Sequence, residues 1–119
     1  MTAPAVYVLD DDEPIRDSLQ LYFELMGYTV RTFSSAAEIL AAYSIDWTGC
    51  LIVDVRLPGM SGLDLIDALH QRGSRIPAIV MTGHTDGGSL RHSSEANIVA
   101  ILEKPVSPDK LKDIVATLI

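Results

Sequence analysis

Charged and hydroxyl side chains stand where four of the short apolar runs of this sequence end. Acidic residues 10–13 follow the first run, and Asp54 follows the third. Thr82 follows the fourth run, and Lys104 follows the fifth after one intervening glutamate. If these runs are parallel strands, their carboxyl ends meet at one edge of a sheet, where the functional groups of such folds gather. The spacing therefore predicts one site that holds carboxylates, a hydroxyl and an ammonium.

These residue types together indicate phosphoryl chemistry. Carboxylate oxygens suit Mg²⁺, which takes few protein carboxylates and keeps several waters. A lysine beside them pairs with an anion, and a phosphoryl group is the anion that bridges Mg²⁺ and a lysine. Asp54 is then the nucleophile, since carboxylates can form acyl phosphates. Taken alone, residues 10–13 are also typical of a solvated helix start, and Asp54 could cap a turn.

Apolar runs of strand length alternate with helical patterns along the chain. The predicted strands cover residues 5–9, 28–33, 50–53, 77–81 and 98–102. The second run has the mixed polarity of an edge strand, whereas the third is continuously apolar, as in a strand buried on both faces. Strands that alternate with helices predict an α/β fold, a doubly wound parallel sheet with helices on both faces.

Helix starts and helix faces can be assigned from the same pattern. Four predicted helices begin after a residue that can cap them, and these residues are Asp12, Ser35, Ser61 and Ser107. The predicted inner face of the first helix consists of Ile15, Leu19, Tyr22 and Met26. Residues 85–97 are rich in Gly and Ser, which predicts a short or irregular fourth helix there.

Composition limits the classes of protein to which this chain can belong. The chain has 119 residues, of which 48% are hydrophobic, and a formal net charge of -7. This length suits one domain, and the excess of acid argues against direct binding of nucleic acid or of an anionic membrane. Cys50, the single cysteine, lies in an apolar run and is expected to be buried. No signal peptide or membrane-spanning run is visible, so we expect a cytoplasmic protein.

Four stretches of the chain resemble the receiver domain of two-component response regulators, the CheY-like family. They are VLDDDE at 8–13, VDVRLPGMSG at 53–62, IVMTG at 79–83 and EKP at 103–105. The second stretch is most similar to receivers of nitrogen-fixation type. The resemblance implies a flavodoxin-like three-layer sandwich whose five parallel strands have the order 2-1-3-4-5.

The resemblance also implies roles for individual residues. Asp54 matches the phosphoacceptor of the family. Asp10 and Asp11 match the acidic pair that holds Mg²⁺ together with Asp54, and Mn²⁺ can substitute for it. The backbone carbonyl of Arg56 matches a further metal ligand.

The other matching positions concern the response to the phosphoryl group. Thr82 matches the hydroxyl that moves to bond a phosphoryl oxygen, and Lys104 matches the family lysine, whose bond to the next residue, Pro105, is expected to be cis. The switch position three residues before the lysine usually holds Tyr or Phe, but here it is Ile101. An aromatic switch is therefore absent.

Three positions beside the phosphoryl group are expected to modulate how fast water removes it, namely Arg56, Gly83 and His84. The other interpretation of Arg56 and His84 is that both side chains are simply exposed to solvent, and the sequence leaves the two interpretations open.

The resemblance implies partners as well. The phosphoryl donor would be a sensor histidine kinase or a small-molecule phosphodonor, and output would pass to a downstream protein partner or an attached output domain. We expect residues 1–119 to form a single receiver domain that is not a dedicated enzyme. A homodimer could form through the fourth helix, the fifth strand and the fifth helix.

Two other functions compete with the phosphoacceptor. Ile101 and the weak fourth helix favour a receiver-like interaction or dimerisation module whose state is not set by phosphate. A Mg²⁺-dependent phosphatase with an aspartyl nucleophile commonly has a second acid two residues after that nucleophile. Here that position is Arg56, which argues against the phosphatase.

Overall fold

Strands and helices alternate within residues 3–83 and 97–119, which the computed structural model describes. The strands are Ala5–Leu9 (β1), Thr29–Phe33 (β2), Gly49–Asp54 (β3), Ala78–Thr82 (β4) and Ile98–Glu103 (β5). The helices are Glu13–Leu25 (α1), Ala36–Ala42 (α2), Gly62–Gln71 (α3) and Pro108–Leu118 (α4). The predicted short or irregular fourth helix covers residues 85–97, of which 85–96 lie outside the described part of the chain, and the helix that follows β5 is therefore numbered α4.

The five strands form one parallel sheet in the order β2-β1-β3-β4-β5. This order confirms the predicted doubly wound topology and puts β2, the run of mixed polarity, at an edge. The last residue of β1, Leu9, lies opposite Val53 of β3, and Asp54 lies opposite Met81 of β4. The strand ends are therefore nearly level, which is what a site built along one edge requires.

Helices cover the sheet on both faces, so the core has two halves. Side chains of α2 and α3 pack on one face, and side chains of α1 and α4 pack on the other. The central strand β3 contributes to both halves because its apolar run has no polar interruption. Cys50 lies in this strand and is fully buried, as expected, and burial raises the pKa of its thiol to about 12.

The inner face of α1 differs from the prediction at one position. Leu19 is buried as expected, but the second buried residue is Phe23, and Met26 is exposed. The reason is that α1 ends at Leu25, so Met26 is the residue that follows the last turn and no longer shares its inner face. Phe23 lies four residues after Leu19 and therefore continues the same helical stripe.

Each predicted cap lies directly before the first residue of its helix, but one of the four makes no capping bond. Asp12, Ser35 and Ser61 each accept a hydrogen bond from the amide three residues later. Ser107 precedes α4, yet its side chain makes no such bond. None of the helices in the described ranges combines the length and apolar character that a membrane span requires.

An aromatic cluster fills the core beside the loop that leads into β3. The ring of Trp47 stacks on that of Tyr7, with centroids 4.3 Å apart and an angle of 11° between the planes. Phe33 and Tyr43 pack against the same indole. The guanidinium carbon of Arg31 lies 4.8 Å from the indole centroid, a cation–π contact at the edge of the cluster.

Candidate functional site

The predicted site residues meet at the carboxyl edge of the sheet. Asp10 directly follows β1, Asp54 is the last residue of β3, Thr82 is the last residue of β4, and Lys104 directly follows β5. These strands are neighbours in the sheet, so their ends form one continuous row.

Lys104 links two of the carboxylates. Its Nζ donates to Oδ2 of Asp54 at 2.9 Å and to Oδ2 of Asp10 at 3.3 Å. Both carboxylates are buried, Asp10 completely, whereas the Lys104 side chain is 29% exposed. The ammonium therefore bridges two buried anions, while part of the Lys104 side chain remains exposed to solvent.

Asp10 is also fixed by the loop that leads into α1. Its Oδ1 accepts the backbone N–H of Asp12 at 2.9 Å, and its backbone carbonyl accepts a bond from Nη1 of Arg16 at 2.7 Å. Arg16 was not among the site residues predicted from the sequence. The signal was present, because Arg16 is the one basic residue in the acidic stretch 10–17.

Three carboxylates converge closely enough to hold a metal ion. Asp10, Asp11 and Asp54 each offer one oxygen, and these oxygens all lie within 4.8 Å of one another. Asp11 is exposed, so the group opens to solvent on one side. Carboxylate oxygens are hard ligands, and this donor set fits a divalent cation that prefers oxygen.

Burial and the neighbouring charges together raise the pKa values of both Asp10 and Lys104. Burial raises the pKa of Asp10 above its ordinary value, an effect only partly offset by the Asp12 amide and by Lys104. Burial by itself lowers the pKa of Lys104, but the hydrogen bond to Asp54 and the negative charges of both aspartates outweigh it, so the pKa of Lys104 is raised. Lys104 therefore keeps its positive charge, whereas the negative charge of Asp10 is energetically unfavourable because it is buried.

The loop after β3 is built tightly around Asp54. The backbone N–H of Arg56 donates to Oδ1 of Asp54 at 3.1 Å, and the N–H of Gly62 donates to the carbonyl of Val55 at 2.8 Å. A Cβ on Gly62 would lie 2.2 Å from the backbone oxygen of Asp54. Only glycine therefore allows α3 to begin this close to the end of β3.

Thr82 and the residues around Lys104 complete the row. The Thr82 hydroxyl donates to the carbonyl of Gly83 at 3.1 Å, so in this state it points along its own chain. The backbone N–H of Lys104 donates to the carbonyl of Thr82 at 2.7 Å, which ties the ends of β4 and β5 together. The peptide bond between Lys104 and Pro105 is cis.

The positions expected to modulate or relay a signal lie around the site. The side chain of Arg56 is exposed, and Gly83 is half-buried. His84 lies outside the described residues. Ile101 is 43% exposed on β5, and Val99, two residues earlier on the same strand face, is 49% exposed.

A cleft of about 580 Å³ lies beside Lys104, between α1 and α4. It is lined by Ile15, Leu19, Met81, Gly83, Lys104, Pro105, Val106 and Leu111. Most of these side chains are apolar, so the cleft offers an apolar surface directly next to a charged site.

The sequence profile of the response regulator receiver domain matches residues 6–116. The chain is 40% identical over 111 residues to the C4-dicarboxylate transport transcriptional regulatory protein DctR of Rhodobacter capsulatus, covering 92% of this chain and 56% of that protein. It is 42% identical over 101 residues to the transcriptional regulatory protein FixJ of Azorhizobium caulinodans, covering 84% of this chain and 47% of that protein. The chain thus spans about half the length of these two relatives.

A solved structure shows the same fold. The CheY-like response regulator receiver domain protein of Methanospirillum hungatei JF-1 superposes with a TM-score of 0.86 at 30% identity, covering 98% of this chain and 94% of that one. The sequence match and the structural match therefore both cover nearly all of the chain. The chain belongs to the receiver domain family of two-component response regulators.

Proposed function

We propose that this chain is a phosphoacceptor whose Asp54 takes a phosphoryl group from a sensor histidine kinase. The observation that carries the proposal is the position of Asp54, a buried carboxylate at the end of the central strand that is hydrogen-bonded to Lys104 at 2.9 Å. In the transfer, a P–O bond forms to a carboxylate oxygen of Asp54 and the P–N bond of the donor phosphohistidine breaks. The imidazole leaves with the electron pair of that bond.

Asp10, Asp11 and Asp54 would hold Mg²⁺, for which Mn²⁺ can substitute, and the backbone carbonyl of Arg56 would be a further ligand. What supports this is the convergence of the three carboxylates and their hard oxygen donors. When bound, the cation neutralises charge that builds on the transferring phosphoryl group. Lys104 holds the carboxylates of Asp10 and Asp54 together before any phosphoryl group is bound.

Lys104 and Thr82 would recognise the phosphorylated state. Lys104 already contacts Asp54, so its ammonium can pair with a phosphoryl oxygen after a small movement. The Thr82 hydroxyl donates to Gly83 now, and it would exchange that bond for one to the phosphoryl group. Arg56, Gly83 and His84 would set the rate at which water removes the phosphoryl group.

Residues 1–119 as a whole would act as a receiver and not as a dedicated enzyme. The apolar cleft supports this role because it offers a donor protein a place for apolar side chains next to Lys104, which is bonded to Asp54. The proposal implies a cytoplasmic location, since the ATP from which a sensor kinase takes its phosphoryl group is cytoplasmic.

Output would pass through the surface formed by β5 and α4, to a downstream partner, an attached output domain or a second copy of the chain. Val99 and Ile101 support this part of the proposal, because both are apolar and nearly half exposed on one face of β5. The part of the expected dimer surface contributed by the predicted fourth helix lies outside the described residues.

Intact-mass measurement tests the phosphoacceptor. The wild type, incubated with Mg²⁺ and acetyl phosphate, is expected to gain the mass of one phosphoryl group, and Asp54→Asn is expected to gain none. Asp46→Asn makes the same chemical change at an exposed residue before β3 and should be modified like the wild type. A wild-type chain that never gains this mass, with acetyl phosphate or with any sensor kinase of the source organism, would contradict the proposal.

An interaction module whose state does not depend on phosphate remains the second candidate. The observation that favours it is Ile101, an aliphatic side chain at the position where an aromatic switch is expected. Dimerisation or partner binding, measured with and without beryllofluoride, separates the two functions. Equal binding in both states favours the module, and a difference favours the phosphoacceptor.

A further inference from the structure

Arg16 reaches from α1 back to the end of β1. It lies in the first turns of the helix, where its own N–H donates to the carbonyl of Asp12 at 3.0 Å. Its side chain turns towards the strand, and Nη1 donates to the backbone carbonyl of Asp10 at 2.7 Å. The bond is charge-assisted and short, the kind that holds a backbone most firmly. Arg16 therefore ties the helix to the residue that starts the acidic loop.

The backbone of Asp10 is held at both of its polar groups. Its N–H donates to the carbonyl of Phe33 on β2 at 3.3 Å, and its carbonyl is held by Arg16. Once the backbone is fixed, the side chain has little freedom. One carboxylate oxygen accepts the Asp12 amide, and the other faces Lys104. Asp11 lies between Asp10 and Arg16 in the chain, so the bond from Arg16 to the Asp10 carbonyl also restricts the position of Asp11.

We propose that Arg16 is a positioning residue that holds Asp10 and Asp11 where a divalent cation needs their oxygens. The metal-binding part of this inference rests on the proposed function, and the loop-ordering part does not. Arg16 acts through the Asp10 carbonyl and does not touch the cation. Partners that orient metal ligands in this indirect way typically change metal affinity by 10–100-fold when removed.

The positive charge of Arg16 adds to this effect. Three carboxylates converge at the site, and Lys104 compensates for only part of their charge. A guanidinium bonded to the loop itself lowers the repulsion within the acidic group. Arg16 thus acts in two ways, by a hydrogen bond that fixes geometry and by a charge that favours close approach.

Arg16→Met tests the inference, because methionine keeps an unbranched apolar stem but loses the donors and the charge. Arg16→Lys is the conservative variant, since it keeps the positive charge and N–H donors. Arg72→Met is the matched control, since Arg72 likewise donates from Nη1 to a backbone carbonyl, that of Leu40 at 2.9 Å, but far from the site at the end of α3. All variants are the full 119-residue chain.

Two measurements are needed. The first is NMR hydrogen exchange of the Asp12 amide in metal-free protein, which reports the bond to Asp10 without any ligand. Arg16→Met should exchange this amide about tenfold faster or more, with core amides unchanged. The second is calorimetric titration with MgCl₂ alone. Arg16→Met should bind about 10–100-fold more weakly than the wild type, Arg16→Lys should recover part of the loss, and Arg72→Met should match the wild type in both measurements.

The outcomes separate this inference from the proposed function. Wild-type exchange at Asp12 together with wild-type Mg²⁺ affinity in Arg16→Met would overturn the inference and leave the phosphoacceptor intact. A wild type that binds no Mg²⁺ would overturn the metal-binding part together with the proposed metal site, and the exchange measurement would still decide whether Arg16 orders the loop. If Arg16→Met does not fold, Arg16→Gln, which keeps a donor without the charge, replaces it.

Discussion

Asp10 shows how a single residue can be both necessary and destabilising. Its carboxylate is fully buried, and burial is the largest influence on its pKa, which is raised. Lys104 and the Asp12 amide compensate only in part. The buried negative charge lowers the free energy of unfolding of the unliganded protein. A ligand that neutralises this charge therefore stabilises the folded state.

The unfavourable effect of the Asp10 charge should be visible in the pH dependence of the free energy of unfolding, measured in the presence of a chelator. Because the folded-state pKa of Asp10 is raised above the unfolded value, its contribution to stability is present at acid pH and lost as pH rises through the folded pKa. We expect Asp10→Asn to remove this loss and therefore to raise the free energy of unfolding at neutral pH. Urea unfolding at several pH values in EDTA measures it.

Asp46→Asn is the control for this experiment, since it removes a carboxylate that is exposed. It should leave both the stability at neutral pH and its pH dependence close to the wild type. An Asp10→Asn variant less stable than the wild type in EDTA would mean that the carboxylate contributes more through Lys104 than it costs through burial.

At the scale of residues, the sequence identified the site but not all of the contacts that hold it. Asp10, Asp54, Thr82 and Lys104 could be assigned because each follows a predicted strand, and the ends of parallel strands converge. The bond from Arg16 to the Asp10 carbonyl could not, because sequence periodicity gives the face of a helix and not the direction of a long side chain. The roles of the site residues stay predictions until they are measured.

The start of α3 is the element that most constrains the site. Its first residue, Gly62, lies against the backbone of Asp54 and the side chain of Val53. Glycine is usually unfavourable in a helix, so its presence here has a packing reason. Strand β3 and helix α3 are joined by a loop that returns close to its own start, and the Asp54 side chain is displayed at that point.

Replacement of Gly62 by alanine should therefore be destabilising, in spite of the better helix propensity of alanine. The new Cβ would meet a backbone oxygen at 2.2 Å, which cannot move aside as a flexible side chain would. We expect a loss of about 1–3 kcal/mol in the free energy of unfolding and slower phosphoryl uptake from acetyl phosphate. Denaturant unfolding and the rate of mass increase measure the two effects.

Gly59 in the same loop provides the comparison. It has a positive φ of 81°, but a Cβ there would have nothing within 4 Å. Gly59→Ala tests backbone strain alone and should leave the geometry of Asp54 unchanged. Equal rates of phosphoryl uptake in Gly62→Ala and the wild type would show that contact at Gly62 does not position Asp54.

Element types were predictable where the hydrophobic period was clear, and the ends of elements were less so. The mixed polarity of β2 correctly predicted an edge strand, and the apolar run of β3 correctly predicted a central one. Met26 was wrongly assigned to the inner face of α1, because the pattern did not show that the helix stops at Leu25. Ser107 has the sequence of a cap but not its side-chain hydrogen bond, because the amide of Lys110 donates to the backbone carbonyl of Ser107 instead, at 3.1 Å.

At the scale of the whole molecule, the site belongs to neither half of the core alone. It runs along the carboxyl ends of β1, β3, β4 and β5, and these strands have side chains in the halves on both faces. A ligand that joins the ends of β1 and β3 therefore acts on the stability of the complete sheet. A cation that binds only the folded chain should therefore raise the free energy of global unfolding.

Mg²⁺ should raise the Tm of the wild type. A ligand present at 100 times its Kd, and bound only by the folded state, adds about 2.7 kcal/mol to the free energy of unfolding. Asp11→Asn should lose most of this response with little change in the metal-free Tm, because Asp11 is an exposed member of the metal-binding group. Differential scanning calorimetry with and without MgCl₂ measures both values.

Asp17→Asn removes an exposed acid from the same end of α1 without touching the metal-binding group, and it should keep the full response. A rise in Tm that is equally large in Asp11→Asn would mean that Mg²⁺ acts through general screening of the acidic surface. No rise in the wild type at high MgCl₂ would argue against the metal site itself.

The aromatic cluster has a practical consequence for all of these experiments. Trp47 is the single tryptophan of the chain, and its ring partners are Tyr7, Phe33, Tyr43 and Arg31. Trp47 lies two residues before β3, whose first residue, Gly49, is roughly 17 Å from Asp54 along the strand. Its indole is buried in this cluster, so the fluorescence of Trp47 should change when the core unfolds. The chain therefore contains its own optical probe of unfolding.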